Sequence, residues 1–167
     1  AIERYRAFLE AGTDDEARFQ LAGLLEAKGR DFAGRMEDAA AGERETLRRE
    51  ADEAFAGAED LVAKVVEAAR NRGAFDDVYA LPQERADRLA SAFFRRGELR
   101  FRRAATAGDD ASRLERLREA EALFEEVLWE FEGMALAYAA LVMRGRCASA
   151  RGDAGRGWDQ ALRRVCS

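Results

Sequence analysis

The sequence offers few residue types from which chemistry could be built. It has no histidine, which removes the commonest general base, the commonest metal ligand and every Ser-His or Cys-His nucleophile. Its two cysteines, Cys147 and Cys166, are too few and too far apart for a disulfide framework or a zinc-ligand pattern. Cys147 is expected to be a small buried apolar residue and Cys166 an incidental one. Carboxylates abound, among them Glu125, Glu126, Glu130 and Glu132, but a di-iron bundle also needs Glu-x-x-His pairs that cannot be formed here. Solvated helix faces account for them better. Gly152, Gly155 and Gly157 echo a phosphate-binding run, yet no strand precedes them, so they read as an inter-helix turn. Paired arginines at 48 and 49, 95 and 96, 102 and 103, and 163 and 164 could hold an anionic ligand. They alternate with acids at helix-pair spacing, so pairing within the chain is the expectation. No enzymatic activity, cofactor or metal site is expected.

The elements that must position these groups are helices. Across 167 residues, 48% are hydrophobic and 37% charged, with a single proline, a balance suited to amphipathic helices and to one compact domain or a short solenoid. Residues 1–9 place Ile2, Tyr5, Phe8 and Leu9 on one stripe. Thr13 with Glu16 forms a capping-box pattern ahead of a helix over 14–28 that stops at Gly29. Residues 31–41 either extend that helix or form a short insert. Over 43–71, Leu47, Ala51, Ala54, Ala58, Leu61, Val65 and Ala68 alternate steps of three and four, a heptad-like seam closed by Gly73. Residues 75–81 read as an ordered loop before Pro82, which opens a helix over 83–106. Gly108 breaks it, Ser112 and Glu115 repeat the capping-box pattern, and further helices follow to Phe131 and over 135–150 and 154–165.

Two patterns recur along these helices. Phe19 and Gly23, Phe93 and Gly97, and Leu141 and Gly145 each set a large apolar residue four places before an interior glycine, a costly residue that suggests close helix approach. Ala1, Tyr5 and Phe8, then Ala54, Ala58 and Leu61, then Ala120, Phe124 and Val127 repeat a small residue followed by an apolar one four residues later and another three after that. Together, AIERYRAFLE, RFQLAGLLEAKG, EAEALFEEVLWEF and the 145–161 stretch resemble the tetratricopeptide repeat family. The resemblance implies an all-α fold of antiparallel helical hairpins stacked as a short solenoid, with some unusually long helices. It divides the single domain into a half repeat at 1–10 and units at 14–72, 83–131 and 134–165. The last unit keeps the family's repeat length of about 34 residues and the earlier two are stretched. Residues 1–10 then read as the second helix of a repeat begun upstream, so the chain is expected to be a piece of a longer protein. The opening segment looks most like bacterial tetratricopeptide proteins of the cell envelope, which tilts the compartment toward envelope or periplasm over cytoplasm without deciding it.

In that family ligands lie in the groove formed by the first helices of the hairpins. Carried over from each first-helix glycine, the groove positions here are Gln20 and Leu24 in one unit, Phe94, Glu98, Phe101 and neighbouring Arg102 in the next, and Val142 and Arg146 in the last. Phe94 and Phe101 could equally be core residues. The resemblance implies a non-catalytic scaffold that binds a peptide, helix or protein surface. The alternative is a structural, self-associating module whose long seam over Leu47 to Ala68 meets a second copy. A net charge of −5 argues against nucleic acid, and no apolar run reaches the ~18 residues of a membrane span.

Overall fold

The computed structural model describes residues 2–3, 14–71 and 80–152. Among them there is no strand. Five helices follow one another: α1 (Asp15–Arg35), α2 (Ala41–Asn71), α3 (Gln83–Ala105), α4 (Asp110–Glu130) and α5 (Ala135–Ala150). Each packs on the next, and α3 also touches α5. Residues 2 and 3 are helical, and Ile2 rests against the core. The remainder of the opening stripe, Thr13, Gly73, the loop over 75–79, the helix expected over 154–165, Gly155, Gly157, Arg163, Arg164 and Cys166 lie outside the described residues. No helix among the described residues is long and apolar enough to cross a membrane.

The helix starts use aspartates where the sequence suggested hydroxyl caps. Asp14 Oδ1 accepts from the backbone N–H groups of Glu16 (2.9 Å) and Ala17 (3.3 Å). Asp109 Oδ1 accepts from the N–H of Ser112 at 2.8 Å, while the Ser112 hydroxyl donates to Asp109 Oδ2. Ser112 therefore lies inside the first turn of α4, and the acid before it is the cap. Pro82 opens α3 as expected. Gly133, at φ +80°, makes the turn into α5 in a conformation that few other residues adopt.

Gly29 does not stop α1, which continues to Arg35. A β-carbon on Gly29 would lie 2.7 Å from the Phe55 ring of α2, and one on Gly97 would lie 2.7 Å from the Phe124 ring of α4. At Gly23 the nearest group is a movable guanidinium, that of Arg95, at 3.2 Å. The close approach in the first hairpin is thus at Gly29, six residues beyond the expected Gly23. Leu25 lies beside Gly57 while Gly29 meets Phe55, so α1 and α2 run antiparallel. The chain carries this hairpin twice. Leu21, Ala22 and Gly29 match Leu89, Ala90 and Gly97, and READEAF ending at Phe55 matches REAEALF ending at Phe124. The buried second-helix set is Ala51, Phe55 and Ala58 in one hairpin and Ala120, Phe124 and Val127 in the other, which moves the expected Ala54, Ala58 and Leu61 by three residues.

The seam of α2 also departs from a heptad. Leu47, Ala51, Ala54 and Ala58 are buried, but the line continues through Val62, Val66 and Ala69 in place of Leu61, Val65 and Ala68. A straight helix turns once per 3.6 residues and drifts about 20° per heptad, so a 3.5-residue line leaves the buried face over such a length. This face is covered by the chain's own core. It is not free to meet a second copy.

Helical glycines with and without neighbours give opposite expectations. At Gly34, where a β-carbon meets nothing within 4 Å, Gly34→Ala is expected to stabilise by about 0.5–1 kcal/mol through helix propensity. Gly29→Ala should destabilise, because a β-carbon 2.7 Å from the Phe55 ring forces that buried side chain out of its packed position. Thermal denaturation of both variants tests this pair, and equal shifts would show that α1 does not sit this close to α2.

Candidate functional site

Most arginines of α3 point inward to acids on its neighbours. Glu59 of α2, 5% exposed, accepts from Arg100 Nε at 2.8 Å and from Arg103 Nη1 at 3.0 Å. Asp52 takes Arg103 Nε at 3.2 Å, Arg116 Nη1 at 2.7 Å and the Thr106 hydroxyl at 3.1 Å. Burial alone would push the Asp52 carboxyl up, but the bonds and charges of Arg103 and Arg116 together hold it below the usual range. Across α1 and α3, Glu26 accepts from Arg95 Nε at 3.0 Å, with Arg30 at 3.3 Å and Arg102 at 3.7 Å. The expectation that arginines pair within the chain describes these groups.

Beside Glu26 a cleft of about 450 Å³ opens between α1, α3 and α5. Arg30, Ala33 and the α1 cap residue Met36 form one wall, Glu98, Phe101, Arg102 and Ala105 the second, and Met143 and Arg146 the third, over the Phe55 ring. The register is regular. Arg30, Glu98 and Arg146 each follow a helix glycine directly (Gly29, Gly97, Gly145), and Ala33 and Phe101 stand four residues after theirs. Two arginines at the cleft differ in how far they are engaged. Arg102 is paired with Glu26 at 3.7 Å and Glu98 at 4.0 Å. Arg146 is exposed, and its recorded contact is Nη1 to Met143 Sδ at 3.8 Å. No carboxylate among the described residues pairs with it.

Four residues expected in a groove, Glu98, Phe101, Arg102 and Arg146, come together in this cleft. Phe94 does not. It is partly buried, its ring centroid 5.5 Å from that of Phe124, so it is spent on the α3–α4 contact. Val142 is 46% exposed and outside the cleft. Leu24 is partly buried and does not line this cleft. Gln20 lies at a different cleft, near the first turns of α1 and α3, and donates to Glu16 at 2.8 Å. Both residues were carried over from Gly23, whereas counting from Gly29 gives Glu26, Arg30 and Ala33. The signal for Arg30 and Ala33 was present in the paired Leu-Ala and glycine positions of α1 and α3. Met143 and Phe55 had no such signal.

The cleft at Gln20 is larger, about 570 Å³, with Phe19, Val65 and Leu89 in its lining. Its rim is largely satisfied within each helix, Arg88 with Glu84 at 2.8 Å and Gln83 with Asp87 at 2.9 Å. Among the described residues no group of three or more acids and cysteines is placed to hold a metal ion. Cys147 is fully buried, and burial pushes its thiol up to about 12, so it stays protonated and unreactive.

Glu98 is the titratable group in the cleft whose proton affinity departs most clearly from normal. Burial raises its carboxyl above the usual value, and Arg102, 4.0 Å away, offsets this only in part. The folded chain therefore holds this proton more tightly than the unfolded chain. The ionised form costs no stability below the unfolded value, near pH ~4.3, and costs progressively more as pH rises through the folded value. Glu98→Gln should raise the unfolding midpoint at neutral pH, with the advantage gone near pH ~4. Midpoints that differ by the same amount at both pH values would refute the assignment.

No protein-family model matches this chain, and comparison with curated proteins and with solved structures finds no match. The cleft must therefore be read from its own chemistry.

Proposed function

We propose that this chain is a non-catalytic interaction scaffold of tetratricopeptide-like hairpins, and that the cleft between α1, α3 and α5 receives a segment of another protein. The observation that carries the reading is the register of the cleft. Equivalent positions after the glycines of three first-in-pair helices converge on one concavity, as expected where repeated hairpins stack and present the same helix face in succession. The duplicated glycine-aromatic contact supports the same reading, with a unit roughly twice the ~34 residues of a standard tetratricopeptide repeat. The cleft combines a half-buried aromatic with arginines, the residue types that anchor protein interfaces. The other reading, a self-associating module, keeps only the partly exposed Leu61, Val65 and Ala68 of its α2 seam, since Leu47, Ala51, Ala54 and Ala58 are buried within the chain.

Selection of peptides from a display library on the whole chain tests this proposal. Binders should compete for one site, and Phe101→Asp should weaken them by about 2 kcal/mol, the scale of an interface anchor. Circular dichroism of the variant controls for its fold. Binders indifferent to Phe101→Asp would end the cleft reading.

A further inference from the structure

Resting on that reading, we infer that the partner of this cleft is an acidic protein segment with apolar anchors. The inference comes from an imbalance of charge. The chain as a whole is acidic at −5, yet Arg30, Arg102 and Arg146 line the cleft against the single acid Glu98. Glu26, which touches Arg30 and Arg102, lowers that excess from two to one, and Arg95, which touches Glu26 in turn, restores it. Glu26 is 7% exposed and already surrounded by three guanidiniums, so it cannot receive a cationic partner.

The arginines are not equally committed. Arg30 has half its side chain in solvent while touching Glu26, and the hydrogen-bond partner of Arg146 among the described residues is a thioether. A guanidinium at the mouth of a concavity that no acid among the described residues engages is a forked donor for a carboxylate. Between Arg30 and Arg146 lie Phe101 and Met143, an aromatic face and a flexible thioether that adapt to apolar side chains. The complement is a chain segment that alternates carboxylates with apolar residues. The burial that raises the Glu98 carboxyl makes a further carboxylate beside it unfavourable, so the incoming acids belong at the Arg30 and Arg146 ends.

Three fluorescent peptides test this. They share leucine and phenylalanine positions and carry Glu, Gln or Lys at all others, and their binding to the whole chain is followed by anisotropy. The Glu peptide should bind about tenfold or more tightly than the Gln peptide, as expected when several guanidinium-carboxylate contacts are lost together, and added salt should narrow the gap. Arg146→Glu, at an exposed position with no ion pair among the described residues, should abolish that preference and improve the Lys peptide. Glu98→Gln should tighten the Glu peptide. Equal affinities for the Glu and Gln peptides, both lost in Phe101→Asp, would overturn the acidic partner and keep the cleft. Absence of binding by the Glu peptide, or its displacement by an oligonucleotide of equal charge, would overturn the inference.

Discussion

Phe124→Ala is expected to lower stability by about 3–5 kcal/mol, the cost of truncating a fully enclosed aromatic. The ring is 0% exposed and touches both the Gly97 backbone and the Phe94 ring. The space it leaves cannot close easily, because α3 is fixed by ion pairs to α1, α2 and α4. The same substitution should change the meaning of Gly97. In the native chain Gly97→Ala sets a methyl 2.7 Å from the ring, and the overpacking, about 1–3 kcal/mol, exceeds a gain of up to about 1 kcal/mol in helix propensity. With Phe124 truncated the methyl enters vacant space, and Gly97→Ala should become neutral or stabilising. Urea denaturation of the four proteins in this cycle measures the coupling, expected within about 0.5–3 kcal/mol. Additive costs would mean that glycine and ring do not lock the hairpin.

Glu59→Ala should be the most damaging polar substitution. Removing one partner of a buried ion pair costs about 3–5 kcal/mol, and Glu59 serves two arginines while almost wholly enclosed. The low end applies here, since Arg100 retains Glu119 at 2.5 Å, Arg103 retains Asp52 at 3.2 Å, and both can reach water. The control is Asp60→Ala, one residue on, which removes an exposed acid paired to Lys64 and should stay within about 0.5 kcal/mol of the native chain. An unchanged denaturation midpoint for Glu59→Ala would show that α2 and α3 are held by apolar packing alone.

The helices and most of their ends are legible in the order of residues. Periodic apolar residues, Pro82 and the turn at Gly133 locate α3 and α5 closely, because these are local effects of backbone geometry. The absence of histidine likewise narrows the chemistry without any structure. Register is different, because it depends on which helix faces lie across from one another. Phe19 with Gly23 and Leu25 with Gly29 show the same spacing, and only the approach of Phe55 tells which glycine is pressed against its neighbour. That six-residue difference moves the position after the glycine from Leu24 to Arg30, and Arg30 with Ala33 forms the cleft wall. The α2 stripe is a related case, since lines of 3.5 and 3.6 residues coincide up to Ala58 and separate only where a long helix must keep facing its core. Phe94 and Phe101 sit seven residues apart on one helix and look alike in sequence. One packs on Phe124 and the other lines the cleft, a choice made by where α4 and α5 lie across from α3.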